Sequence, residues 1–165
     1  MATLPSAVQR TIDIEADPDD VWELIVDDDE RSAWFGGPST LEPVPGGSGV
    51  FTEPDGTRRS AVVEEVEPGR RLRWSWWPDD DPGDAATVDI DLVPVTPERP
   101  GAPAIGTRVT VTETPLVPTA ACSAAKASMT ARMTTRMAAP LLGLELAAMA
   151  RLGAPAVVAS HLARG

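Results

Sequence analysis

The stretch TAACSAAKASMTARMTTRMAAPLLGLELAAMARL, residues Thr119–Leu152, decides how the rest of the chain is read. Cys122, Met129, Met133, Met137, Leu141, Leu144 and Ala148, with Ala125 or Lys126 filling the gap after Cys122, recur at steps of three or four, the spacing of one helix face. The segments before it are strand-like apart from two short helical ones, so this late helix is expected to cover the apolar face of a sheet. Pro140 lies inside the stretch. A proline there removes one backbone hydrogen bond and strains the preceding turn by about 3 kcal/mol, which predicts a kink or restart near Ala139. The part from Pro140 to Leu152 would be about 20 Å long at ~1.5 Å per residue. That is the span of a six-residue strand at ~3.3 Å per residue. Gly153 and Pro155 stop the helix, and Ala156 to Gly165 is expected to be a short extra turn or a frayed tail.

Working back from the N-terminus, Val8, Arg10, Ile12 and Ile14 alternate with Gln9, Thr11, Asp13 and Glu15, the period of a half-buried strand. Asp17-Pro18-Asp19-Asp20 then supplies a cap, a proline suited to the first helical position, and carboxylates at the positive end of a helix dipole. Val21, Trp22, Ile25 and Val26 form the predicted buried face of that helix. Asp28 or Asp29 is expected to cap a second helical piece through Trp34, which Gly36-Gly37-Pro38 ends. A meander follows, with strands expected at Thr40–Val44, Gly49–Glu53, Arg58–Val66 and Arg70–Trp77. Asp55-Gly56 and Pro68-Gly69 are its clearest turns. Two more strands, Ala86–Val93 and Thr107–Glu113, flank a proline-rich connection. The expected architecture is α+β: a curved antiparallel sheet of about six or seven strands around one long C-terminal helix, with two short helices after the first strand.

The 165 residues suit one domain, with a core over about 8–152 and a tail over 153–165, large enough to bury that core without disulfide or metal props. Cys122 is the sole cysteine, which excludes an internal disulfide and a four-cysteine metal site. Met1 to Arg10 has no apolar h-region, and no stretch approaches the roughly 18 apolar residues of a membrane span, so a cytoplasmic protein is expected. The net charge of −11 opposes long-range attraction to nucleic acid or anionic lipid. After position 117 only Glu145 opposes Lys126, Arg132, Arg136, Arg151 and Arg164, leaving +4 there and −15 before it. An acidic body thus precedes a basic helix face, and docking one on the other gains some attraction.

Particular residues sharpen the reading. Ile12-Asp13-Ile14-Glu15-Ala16-Asp17-Pro18-Asp19-Asp20-Val21-Trp22-Glu23-Leu24-Ile25, the corner Trp34-Phe35-Gly36-Gly37, the hairpin Glu64-Glu65-Val66-Glu67-Pro68-Gly69-Arg70-Arg71-Leu72 and the strand Gly106-Thr107-Arg108-Val109-Thr110-Val111-Thr112-Glu113 together resemble the helix-grip fold of the START and birch-pollen-allergen-like (SRPBCC) superfamily. The branch they resemble is that of the activators of the heat-shock-protein-90 ATPase. The resemblance covers roughly residues 8 to 152 and implies a fold with a cavity between sheet and helix. Relatives often carry a tryptophan early in the last helix; Ala120–Met137 has none, so the cavity roof is expected to differ.

The catalytic inventory is thin. His161, the only histidine, lies beyond the helix stop, tyrosine is absent, and Cys122 has no histidine beside it in sequence to activate it. No metal-ligand spacing occurs, and Gly46-Gly47-Ser48-Gly49 lacks the lysine of a phosphate loop, so no cofactor is expected. What remains is aromatic surface. Trp34, Phe35, Phe51, Trp74 and Trp76 are candidate cavity-lining residues. Met129, Met133, Met137 and Leu141 on the helix complete a wall that repacks easily. Indole N–H groups are candidates to orient a ligand. The expected function is binding of a hydrophobic small molecule, to sequester or carry it. One alternative is a cofactor-independent enzyme such as a polyketide cyclase or aromatase, using Glu64 or Glu65 with Arg10. Strand parity places Arg10 with Ile12 and Ile14, and leaves open which of the two glutamates faces inward. A second alternative, implied by the resemblance, is a chaperone-associated interaction module. An exposed edge strand could also pair two chains as a homodimer.

Overall fold

In a computed structural model of the chain, the described residues are 7–96, 105–116, 147 and 156–157. Their elements run β1 (Val8–Ile14), α1 (Pro18–Val26), α2 (Asp28–Phe35), β2 (Ser39–Leu41), β3 (Ser48–Thr52), β4 (Arg58–Glu67), β5 (Arg71–Pro78), β6 (Ala86–Val95), β7 (Gly106–Pro115) and β8 (Ala156–Val157). All strands join one curved antiparallel sheet in the order β2-β3-β4-β5-β6-β7-β1-β8. The architecture is therefore the expected α+β one, with seven principal strands and two helices after the first. The stretch Thr119–Leu152, expected to be one long helix, lies outside the described residues except for Ala147, which is helical and packs half-buried against the core. Ala156 and Val157, expected in a turn or a frayed end, instead pair with Ile14 and Asp13 at the edge of the sheet.

Register sorts the side chains into rows across the inner face. One row runs Leu41, Gly49, Ala61, Trp76, Ala86, Pro115; the next runs Val63, Trp74, Val88, Glu113, Val8; a third runs Val66, Leu72, Ile90, Val111, Arg10. Trp76 thus stands between two alanines, and the small neighbours leave room for its indole. The opposite face of the same strands carries Arg71, Arg73, Asp89, Asp91, Thr110 and Thr112. The burial along β5 alternates strictly in this sense.

The two helices form a corner that closes one end of the inner face. On α1 the buried residues are Val21, Leu24 and Ile25, so the helix turns slightly from the expected face and Trp22 is only half-buried at its margin. Asp27, rather than Asp28 or Asp29, caps α2: its Oδ1 accepts from the backbone N–H of Asp29 and Glu30 at 3.0 Å each. Gly36, at φ 84°, ends α2 in the left-handed conformation open to glycine. Gly37 then passes so near the next strand that a Cβ would lie 2.1 Å from the Thr52 carbonyl oxygen.

Arg31 holds the corner together. It is fully buried, and its Nη1 donates to the Ile25 and Val26 carbonyls at the end of α1, both at 3.1 Å. Its Nε donates to Ser39 Oγ at 3.1 Å, and its Nη2 pairs with Asp28. Burial lowers the pKa of this guanidinium, and the Asp28 carboxylate opposes that shift. One side chain therefore serves the open end of α1, the start of α2 and the edge strand β2. Replacing Arg31 with Met should lower unfolding stability by about 3 kcal/mol in a urea titration, because two helix-end carbonyls and a carboxylate lose their donor. Arg31→Lys should recover little of that loss, since an ammonium cannot present the same fork.

Candidate functional site

The five aromatic residues singled out from the sequence, Trp34, Phe35, Phe51, Trp74 and Trp76, meet on the inner face and are each at least nine-tenths buried. Phe51 on β3 is their centre. It lies 5.3 Å from Phe35 and 5.5 Å from Trp76, both edge to face, and stacks on Trp74 at 5.6 Å with the ring planes 10° apart. Phe35 meets Trp76 at 6.2 Å and Trp34 at 6.4 Å, and the two β5 indoles meet at 6.3 Å. These separations are those of favourable ring pairs. The helix corner and strands β3 and β5 thus supply one continuous aromatic body. Met129, Met133, Met137 and Leu141, expected to form its opposite wall, lie outside the described residues, as do Cys122 and His161.

A guanidinium lies at each of two of its rings. Arg31 Cζ is 5.8 Å from the centre of Phe51, and Arg59 Cζ is 5.0 Å from that of Trp76. Arg59, on β4, is almost wholly buried and pairs with Glu53 at 3.3 Å and Asp84 at 3.2 Å. Asp84 sits in the acidic loop after β5, so this pair also fastens that loop beside the rings. On β7, Glu113 is fully buried and accepts from Trp76 Nε1 at 3.2 Å. The indole spans the gap because Ala86 lies between Trp76 and β7 and is too small to block it. Arg31, Glu53, Arg59 and Glu113 were not foreseen as site residues. Parity carried a signal for two of them: Arg59 alternates in step with Ala61 and Val63, and Glu113 with Val109 and Val111.

The three indole N–H groups of the cluster have different fates. Trp34 Nε1 donates to the Leu24 carbonyl at 2.8 Å, and Trp76 Nε1 donates to Glu113. Trp74 Nε1 is buried and has no acceptor among the described residues. Such a donor costs about 1–3 kcal/mol relative to a hydrated one.

The glutamates of the catalytic alternative lie elsewhere. A bulge between Val63 and Glu65 breaks the alternation of β4, so that Val66 pairs with Leu72 while Glu65 pairs with Arg73. Both Glu64 and Glu65 therefore face outward. Glu64 accepts from Ser75 Oγ and lies 3.4 Å from Arg73 Nε. Glu65 lies 3.8 Å from Arg71, in a ladder that continues to Asp89 and Asp91. The Asp89 hydrogen bond is the main cause that raises the pKa of Arg71. Arg10 is on the inner face, in register with Val111, and its Nη1 donates to the Gln9 carbonyl at 3.0 Å. The sheet itself thus separates Arg10 from the two carboxylates. Among the described residues, no three His, Cys, Asp or Glu side chains are placed to hold a metal ion, and no helix is long and apolar enough to cross a membrane.

A helical corner after the first strand, a seven-strand antiparallel face and an aromatic cluster between them agree with the sequence comparison. The model of the family described as activator of Hsp90 ATPase homolog 1-like protein matches residues 15–139. The chain belongs to this family. Solved structures share its fold. A Mesorhizobium loti protein superposes with a TM-score of 0.71 at 16% identity, covering 88% of this chain and 98% of its own. A Plasmodium falciparum HSP90 activator gives 0.63 at 14% identity, over 92% and 99%. An Aha1 dimer from Colwellia psychrerythraea, solved in solution, gives 0.60 at 19% identity, over 84% and 92%. Among curated proteins, none matches the chain. In this member of the activator-homologue family the described residues form the antiparallel sheet and the two-helix corner of the α+β fold.

The two β5 tryptophans offer a direct comparison. Trp76→Phe and Trp74→Phe remove similar ring area, but only the first deprives Glu113 of a donor. Trp76→Phe should therefore cost about 2 kcal/mol more stability than Trp74→Phe when the two variants are unfolded in guanidinium chloride. Equal losses would show that the Trp76–Glu113 bond contributes nothing to the fold.

Proposed function

We propose that this protein binds a hydrophobic small molecule against the inner face of the sheet, at the aromatic cluster, and sequesters or carries it. The observation that supports the reading is the convergence of Trp34, Phe35, Phe51, Trp74 and Trp76 on one buried patch with few and specifically placed polar groups. Met129, Met133, Met137 and Leu141 complete the proposed site as its adaptable wall. Catalysis is the weaker reading, because Glu64 and Glu65 face away from Arg10 across the sheet. We place the protein in the cytoplasm as one helix-grip domain.

The second reading, a chaperone-associated interaction module, has its own support. The family is named for Hsp90 ATPase activation and the Plasmodium relative is an HSP90 activator. The outer face carries the charged ladder of Glu65, Arg71, Arg73, Asp89 and Asp91, which suits a polar partner. Self-association through an edge strand is part of the same proposal: β2 ends the sheet order among the described residues, and the Colwellia relative is a dimer.

Native mass spectrometry of the protein incubated with a small-molecule extract of its source cells separates these readings. A ligand-binding protein should retain a compound of unchanged mass that is lost in Trp74→Ala and Phe51→Ala and kept in Glu64→Gln and Glu65→Gln. A retained compound altered in mass would instead favour catalysis. No retained compound, together with a salt-sensitive protein complex that survives Trp74→Ala, would favour the interaction module.

A further inference from the structure

The buried indole N–H of Trp74 identifies the chemistry of the ligand. Resting on the ligand-binding reading above, we infer that the aromatic cluster takes a neutral aromatic carbonyl compound, whose oxygen accepts from Trp74 Nε1. The other two indoles of the cluster spend their donors inside the fold, on Leu24 and on Glu113, whereas Trp74 has no acceptor among the described residues. Its orientation is fixed by the stack on Phe51, with the ring planes 10° apart. Trp74 is paired in register with Val63 and Val88, whose side chains offer no acceptor. The nearest polar group in that inner-face row is Glu113, beyond Val88 and two strands away, about 10 Å between backbones. Its Oε1 already accepts from Trp76. A ligand lying on the rings would bring the acceptor that the described residues do not supply.

Charge sets the second requirement. Around Trp76 one guanidinium, Arg59, stands against the carboxylates of Glu53, Asp84 and Glu113, and on the far side Arg31 is engaged with Asp28. Arg10, the remaining cation of the inner face among the described residues, turns its Nη1 to the Gln9 carbonyl. At the rings themselves an anionic ligand would meet guanidinium groups already paired with carboxylates, Arg31 with Asp28 and Arg59 with Glu53 and Asp84, and would lose its hydration without gaining a partner there, while Arg10 lies at the β1 end of the neighbouring row. A carbonyl on an uncharged ring system meets both conditions. The rings favour a flat aromatic frame, and the indole selects an acceptor without charge.

Three probes of one shape test this on the full chain: 2-ethylnaphthalene, 2-acetylnaphthalene and 2-naphthoate, titrated calorimetrically into the wild type and into Trp74→Phe, which keeps a ring and removes the N–H. The acetyl compound should bind the wild type about 5-fold more tightly than the ethyl compound, the ratio expected of one net hydrogen bond. That preference should vanish in Trp74→Phe, and naphthoate should bind weakest to both. Equal binding of the acetyl and ethyl compounds by the wild type, or a preference that survives Trp74→Phe, would overturn the inference and leave ligand binding intact. Naphthoate binding tightest would overturn it in favour of an anion site at Arg10. Failure of all three to bind would remove the ligand-binding reading and this inference with it.

Discussion

The contact of Phe51 with Phe35, Trp74 and Trp76 is the constraint on which the rest of the structure depends. Phe35 comes from the end of α2, Phe51 from a short strand near the edge and the two indoles from the middle of the sheet, so these rings join three parts of the chain that no local interaction connects. Burial of this much aromatic surface outweighs the ordering of the short elements that carry it. A three-residue strand and an eight-residue helix have little stability of their own. The glycines around the cluster serve the same contact. Gly36 turns the chain at the end of α2, and Gly37 lets the backbone pass Thr52 closely enough to bring Phe35 onto Phe51.

Charges buried beside this aromatic body follow from the same packing. Arg31 and Arg59 each place a guanidinium near a ring face while their nitrogens meet carbonyls or carboxylates. Arginine suits both positions because its planar, weakly hydrated head tolerates burial and offers donors in several directions at once. The two sites nevertheless do different work. Arg31 closes a helix corner with bonds almost all made to its own element and the adjacent ones, while Arg59 reaches across to Asp84 and ties a loop of like-charged residues to the sheet. That tie offsets the mutual repulsion of Asp79, Asp80, Asp81 and Asp84, of which Arg58 and Ser60 hold Asp79 and the Gly83 N–H holds Asp81.

Much of the fold was legible in the sequence because it rests on alternation. β1, β5 and β7 carry a period-two pattern that survives in the burial of their residues, whereas Ala86–Ile90 of β6 are buried on both faces, and the turns Asp55-Gly56 and Pro68-Gly69 mark the hairpins on either side of β4. Trp74 and Trp76 were legible as candidates for the same reason, while Trp34 and Phe35 stood out at the helix corner ended by Gly36-Gly37. What alternation could not settle was the orientation of Glu64 and Glu65, since a bulge is an interruption of the pattern that would reveal it. The cap of α2 is Asp27 and not the expected Asp28 or Asp29, as several adjacent aspartates offer equivalent local chemistry and tertiary packing selects among them. Glu113, Arg59 and Arg31 were passed over because charged residues are rarely buried whole, and only their partners explain why these three are.

The fate of each indole nitrogen separates framework from site within a cluster that is otherwise uniform. By shape alone the rings are equivalent: all are buried, all meet at ordinary aromatic separations, and all would read as core. Hydrogen bonding divides them. An N–H matched inside the fold, as in Trp34 and Trp76, reports a side chain whose surroundings are complete without any other molecule. An N–H buried without a match raises the free energy of the empty protein, and a ligand that supplies the acceptor recovers that cost on binding. On the ligand-binding proposal, the unmatched donor would contribute to affinity through the destabilisation of the unliganded state, at the ring for which the described helix corner and sheet supply no acceptor.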